Sequence, residues 1–326
     1  MTVPARAPIV TGEPVVSRRI ALLYALLAVA LVPQIAVLAL TLPDRTVVGH
    51  WTVAWSGFAI LVAAGLITTA VCVVRNSPWT VVAASATGVV VFVDAWFDLM
   101  TREAPRDVGA PVVRVLVLKV PLGVLCLLAV VAVLRRLATG RRLITRAGLG
   151  WQAGAFVCCW PPAPGDEIAK RVADATGGTT AAGSRNEPPL VARWVVRVYL
   201  LAAVAALLSL IVVTRHPSEE LATNWTTAWV GYDVLMAVAF AVTVVAARRR
   251  SPVAIAALAA DAAILVCDGW FDTMTANGGM EMGVAVVSAL AVELPLAVFS
   301  LVIARRAVRR IAAARTLLAR ADVPLP

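Results

Sequence analysis

Lysine and histidine are nearly absent from this chain, with two of each in 326 residues. Charged residues of all kinds make up only 15%. A water-soluble globular chain is about a quarter charged and about half apolar. Here 61% is hydrophobic and the mean hydropathy is +0.88. Polar groups are too few to cover that apolar surface, so water as the sole solvent is excluded. Disorder beyond short tails is excluded too, because it needs low hydrophobicity. Cysteine is scarce and unpatterned: Cys72, Cys126 and Cys267 stand singly in apolar stretches, and Cys158-Cys159 lacks the spacing of a zinc or redox pair. No disulfide framework and no metal or other cofactor site is expected from these residues. No Ser/His/Asp arrangement and no glycine-rich phosphate loop occurs, so an enzyme is not expected.

What the chain does have is long apolar runs. A hydrocarbon core of ~30 Å demands about 20 apolar residues of a helix. Eight such spans occur, at 20–42, 51–74, 79–100, 112–134, 194–214, 224–246, 252–275 and 283–304. The first is too long for a signal-peptide core and lacks a convincing cleavage site after it, so it reads as a retained span. Of the 29 Lys and Arg, 23 fall on one side if the N-terminus is cytoplasmic. Arg135-Arg136, Arg248 to Arg250 and Arg305 to Arg320 are among them. Arg45, Arg102, Arg106, Arg114 and Arg215 lie outside or at outer helix ends, and Lys119 lies within a span. The asymmetry places both termini in the cytoplasm of a plasma membrane. It assigns the formal net charge of +10 to anionic lipid head groups rather than to nucleic acid.

The chain is also duplicated. An offset of 174 residues aligns 50–101 with 224–275 without a gap, and 20 of those 52 positions are identical. His50-Trp51-Thr52-x-Ala54-Trp55-x-Gly57 matches Asn224-Trp225-Thr226-x-Ala228-Trp229-x-Gly231, and Ser77-Pro78 matches Ser251-Pro252. Asp94-x-Trp96-Phe97-Asp98-x-Met100-Thr101 matches Asp268-x-Trp270-Phe271-Asp272-x-Met274-Thr275, and Pro121 matches Pro295. The expected fold is an all-α integral membrane protein of eight transmembrane helices in two parallel four-helix repeats. Four spans per repeat return the chain to the same side, so the pseudo-two-fold axis runs along the membrane normal. The expected divisions are a cytoplasmic tail at 1–19, a first repeat at 20–136, and a largely flexible cytoplasmic linker at 137–193. A second repeat at 194–310 and a tail at 311–326 complete the chain. Within the linker, 151–160 is a candidate membrane-surface segment and 166–176 a candidate short helix. The linker is also where a cytoplasmic protein partner would bind. Nothing in the sequence speaks to oligomeric state.

The duplicated D-x-W-F-D-x-M-T pattern resembles a set of uncharacterised multi-pass membrane proteins of high-GC bacteria. The Arg-over-Lys, Ala/Val-rich usage fits such a genome. The resemblance covers both repeats but not the linker, and it implies no activity.

Two groups of residues carry the candidate chemistry. At the outer ends of the spans, Asp94 and Asp98 share a helix face, as do Asp268 and Asp272. Trp51, Trp55, Trp225 and Trp229 gather on the same side. They form either an aromatic belt with polar anchors or aromatic-walled acidic sites suited to a cation. Deeper, the copies diverge: Asp233 stands where the first copy has Ala59, Asp261 where it has Thr87, and Glu293 where it has Lys119. At ~1.5 Å per residue these four ionisable groups lie roughly 10–16 Å inside the membrane. Facing lipid they would cost on the order of 10 kcal/mol, so they are expected to face the bundle interior. One outcome is an ion pair of Lys119 with Glu293 or Asp261. The other is a proton or cation path through Asp233, Asp261, Glu293 and Lys119. Pro121 and Pro295 each remove a backbone bond beside Lys119 or Glu293 and can kink the helix there. The function expected is therefore transporter-like. The alternative is a structural or sensory membrane component whose buried acids only tie helices together.

Overall fold

The computed structural model describes residues 50–101, 115–146, 224–249 and 251–320. It also describes shorter stretches at 45–48, 150–152, 155–157 and 220–223, and isolated positions among 26–40, 112–113 and 197–208. The described chain is mostly helical, and six helices are long and apolar enough to cross a membrane. These are α1 (Trp51–Val74), α2 (Thr80–Met100), α3 (π-helical Val115–Lys119, then Val120–Arg146), α4 (Trp225–Arg248), α5 (Val253–Thr275) and α6 (Gly279–Ser288, π-helical Ala289–Glu293, then Leu294–Arg320). The spans expected at 20–42 and 194–214 lie outside the described residues, apart from isolated helical positions such as Leu26 and Leu200.

Short local devices set the helix ends. Ser77 and Ser251 each close one helix and open the next. Their N–H groups bond to the carbonyls of Cys72 and Ala246, both at 2.9 Å, and their Oγ atoms accept the N–H of Trp79 and Val253. The following Pro78 and Pro252 cannot continue the preceding helix, which is why Ser-Pro marks both corners. The π-turns in α3 and α6 end two residues before Pro121 and Pro295. A proline has no N–H to give to the carbonyl four residues back, and a widened turn absorbs that gap. The expected disturbance beside Lys119 and Glu293 thus takes the form of a π-bulge.

Two features differ from the all-α expectation and a third from the expected divisions of the chain. Strand β1 (Arg45–Val48) pairs antiparallel with β4 (Glu220–Thr223) in a ribbon that sets Val47 opposite Leu221. That pair is one position and its own counterpart 174 residues on. Strands β2 (Gly150–Gln152) and β3 (Ala155–Val157) form a second small hairpin inside the segment expected to be a flexible linker. The ends of α3 and α6 run on to Arg146 and Arg320, into regions expected to be linker and tail. Short β-pairs of three or four residues carry too little periodicity to be read from a sequence. The candidate helix at 166–176 lies outside the described residues, as does the tail expected at 1–19.

The core lies where the two halves meet. α5 is the most enclosed helix, packing on α2, α4 and α6. Its buried Ala254, Ala256, Ala257 and Ala259 let neighbouring backbones come close. At the ribbon end, Phe97 of α2 stacks on Phe271 of α5, with centroids 4.6 Å apart and planes 21° apart. Trp96 Nε1 donates to the Ala228 carbonyl at 2.9 Å, and Trp270 Nε1 donates to the Ala54 carbonyl at 3.0 Å. These bonds cross between halves in opposite directions. A Cβ at Gly57 would overlap the Trp270 ring, and one at Gly231 the Trp96 ring. Glycine at both places is what lets an indole ring come close to a helix backbone.

Candidate functional site

Asp94 and Asp98 lie on the last two turns of α2, and Asp268 and Asp272 on the last two turns of α5. Both helices end at the β1–β4 ribbon. α3 and α6 start at that same end and bring in Lys119 and Glu293. A helical Cβ tilts toward its own N-terminus. Lys119 and Glu293 therefore lean toward the ribbon, while the aspartates lean back from it, and the two sets meet.

In the first half the result is an ion-pair cluster. Lys119 Nζ lies 2.9 Å from Asp94 Oδ2 and 3.0 Å from Asp98 Oδ2, and it also donates to the Asp94 carbonyl at 3.2 Å. The ammonium thus faces both carboxylates and donates to the Asp94 carbonyl and to Asp98 Oδ2. The Lys119 side chain is 15% exposed, and that of Asp98 only 3%. This corrects the expected pairing of Lys119 with Glu293 or Asp261. Counting depth by Cα alone set Lys119 well below Asp94 and Asp98. The tilt and length of the lysine side chain close that gap.

In the second half the same three positions hold only acids. One carboxylate oxygen each from Asp268, Asp272 and Glu293 lies within 4.8 Å of the others. Asp268 is 8% exposed and Glu293 5%, while Asp272 is half-buried. Ser288 Oγ donates to Glu293 Oε1 at 2.9 Å, whereas the buried Oε2 has no hydrogen-bond partner. Oε2 lies over Gly269, where any Cβ would overlap it. The counterpart of Gly269 is Ala95, so the residue that admits the Glu293 carboxylate differs in step with the Lys-to-Glu change. Asp233, buried in α4, adds its field to both Asp268 and Asp272. At an effective dielectric of ~20, two unit charges 4.8 Å apart repel by about 3.5 kcal/mol. Three bare carboxylates would then repel by on the order of 10 kcal/mol. Such a cluster needs protons or a cation.

Asp261 belongs to neither cluster. It is fully buried about 10 Å further along α5. Thr243 Oγ1 donates to its Oδ2 at 2.6 Å, and Oδ1 has no hydrogen-bond partner. The counterpart contact joins Thr69 and Thr87 hydroxyls at 3.0 Å. The four deep residues therefore do not gather in one relay: Lys119 joins the first aspartate pair, Glu293 the second, and Asp261 ties α5 to α4.

The tryptophans take a place that differs from both expectations. Trp51, Trp225 and Trp229 are buried, and Trp55 is half-buried. Trp51 meets Trp55 edge-on and Trp225 meets Trp229 in the same way, at 5.6 and 5.7 Å. Trp55 packs on Phe271 and Trp229 on Phe97. These rings fill the joint between the halves, as befits a flat apolar body with one polar edge. Gly269, Ser288, Thr243 and Thr69 escape a reading based on charge alone. Threonine kept at 69 and 243 in otherwise apolar spans was the available signal for two of them.

Comparison with protein-family models, curated proteins and solved structures gives no match.

Proposed function

We propose that this is a bacterial cytoplasmic-membrane protein of eight spans in two parallel four-helix repeats, with both termini cytoplasmic. In this reading it is transporter-like, and its acidic interior handles a proton or a small cation. The observation that carries the reading is the enclosure of carboxylates among apolar helices. Asp233 is 1% exposed and Asp261 0%, close to the Asp268, Asp272 and Glu293 cluster or on the same helix as part of it. Carboxylates in such a setting are costly, and they are the material of ion and proton pathways. The parallel-repeat reading draws support from contacts that recur 174 residues apart. These include the two crossed Trp–carbonyl bonds, the two π-turns and the ribbon centred on Val47 and Leu221. The basic helix extensions would lie on anionic lipid at the cytoplasmic face.

The rival reading is a non-transporting structural or sensory component, with the linker as contact for a cytoplasmic partner. The 2.6 Å Thr243–Asp261 bond favours it, because that acid already serves as a helix tie. Replacing Asp233 and Asp261 by Asn separates the two when folding stability and pH-driven ion flux in liposomes are measured together. Intact folding with lost flux is expected. Flux that is absent or unchanged, combined with a large loss of stability, would leave only the structural role.

A further inference from the structure

We infer that Asp268, Asp272 and Glu293 seat one divalent, oxygen-preferring cation between α5 and α6. The inference deepens the cation-handling reading, and rests on it, by naming the class of ion and its place. Geometry is the first support. Oxygen ligands to Mg²⁺, Mn²⁺ or Ca²⁺ lie about 2.0–2.6 Å from the metal. Two ligands of such an ion are then at most about 4–5 Å apart, so three oxygens within 4.8 Å of one another are close enough to share one.

The unpartnered oxygen is the second support. Glu293 is 5% exposed, yet its Oε2 has no hydrogen-bond partner. It lies over Gly269, on the stretch of α5 that runs from Asp268 to Asp272. Ser288 holds the other oxygen at 2.9 Å and so fixes the carboxylate plane. A buried carboxylate with one oxygen held by a hydroxyl and the other unpartnered over the Asp268–Asp272 stretch of α5 is available as a ligand.

The first half supplies the third support. At the matching three positions a cation is already present, the ammonium of Lys119, and it touches both aspartates. Lys119 with Asp94 and Asp98 sums formally to −1. Glu293 with Asp268 and Asp272 sums to −3, and a divalent ion returns it to −1. A monovalent ion would not. The ligand set is all carboxylate, with no nitrogen or sulfur donor, which selects Mg²⁺, Mn²⁺ or Ca²⁺ over Zn²⁺ or Cu²⁺. Half-buried Asp272, one turn before the end of α5, gives the ion its way in, and water would complete the shell.

The test is a Mn²⁺ titration of the full chain in nanodiscs of neutral lipid after chelator treatment. Free Mn²⁺ is followed by electron paramagnetic resonance. One saturable Mn²⁺ per chain is expected, displaced by Mg²⁺ or Ca²⁺. Glu293→Gln and Asp268→Asn should weaken it by roughly 10- to 100-fold or more. Gly269→Ala keeps every charge and should weaken it too, whereas Asp261→Asn should leave it unchanged. A wild-type chain without a saturable site overturns the inference whatever the variants do. So does wild-type affinity in Glu293→Gln. Liposome flux is scored separately. Proton flux without the Mn²⁺ site removes this inference and leaves the transport reading, and the site without flux does the reverse.

Discussion

The two halves of this protein place the same helices, corners and aromatic joints around clusters of opposite character. In the first, Lys119 is held between Asp94 and Asp98. In the second, Glu293 takes the lysine's place beside Asp268 and Asp272, and Gly269 takes that of Ala95 to admit it. One half carries its counter-charge covalently, and the other must obtain it. A closed cluster that carries its own cation is suited to holding helices together. An open cluster in an equivalent setting is suited to exchange.

The comparison breaks most severely if the internal cation is removed. Lys119→Met takes the ammonium away from buried Asp98 and half-buried Asp94, and the expected loss is about 3–5 kcal/mol in reversible unfolding in detergent. A loss near zero would mean that the ion pair is not what neutralises the first half. Gly57→Ala and Gly231→Ala address the joint instead. Each drives a Cβ into an indole ring, and each should cost about 1–3 kcal/mol. Similar costs are expected for the pair, and a large difference would show that the joint is less symmetric than its contacts. The smallest effect concerns the threonine ties. Thr243→Val leaves the buried Asp261 carboxyl without its donor, while Thr69→Val removes only a bond between hydroxyls. The first should cost about 1 kcal/mol more than the second. Equal costs would count against a distinct role for Asp261.

Much of this arrangement is legible in the sequence, for physical reasons that differ by feature. The six described helices follow from apolar length, and α1 agrees with its expected limits at both ends. Pairs four residues apart, such as Asp94 with Asp98, share a face by helical geometry alone. Proline at 121 and 295 marks the backbone disturbance, although not its π form. The partners of Lys119 are another matter. Residue counting locates a Cα, while the charge sits several bonds away along a tilt set by helix direction. The tryptophans mislead for a similar reason. Their position near helix ends fits a lipid belt, and nothing in their spacing shows that Trp55 and Trp229 pack on Phe271 and Phe97. The β1–β4 ribbon leaves too short a pattern to read. Gly269 becomes informative only when set beside Glu293, and the self-alignment holds both changes.

The most direct test of the difference between the halves is to rebuild the first cluster in the second. The double variant Glu293→Lys with Gly269→Ala supplies an ammonium to Asp268 and Asp272 in the manner of Lys119. The measurement is the number of Mn²⁺ ions bound per folded chain in neutral-lipid nanodiscs. None is expected for this variant, against one for the wild type. One ion still bound at wild-type affinity would contradict the account.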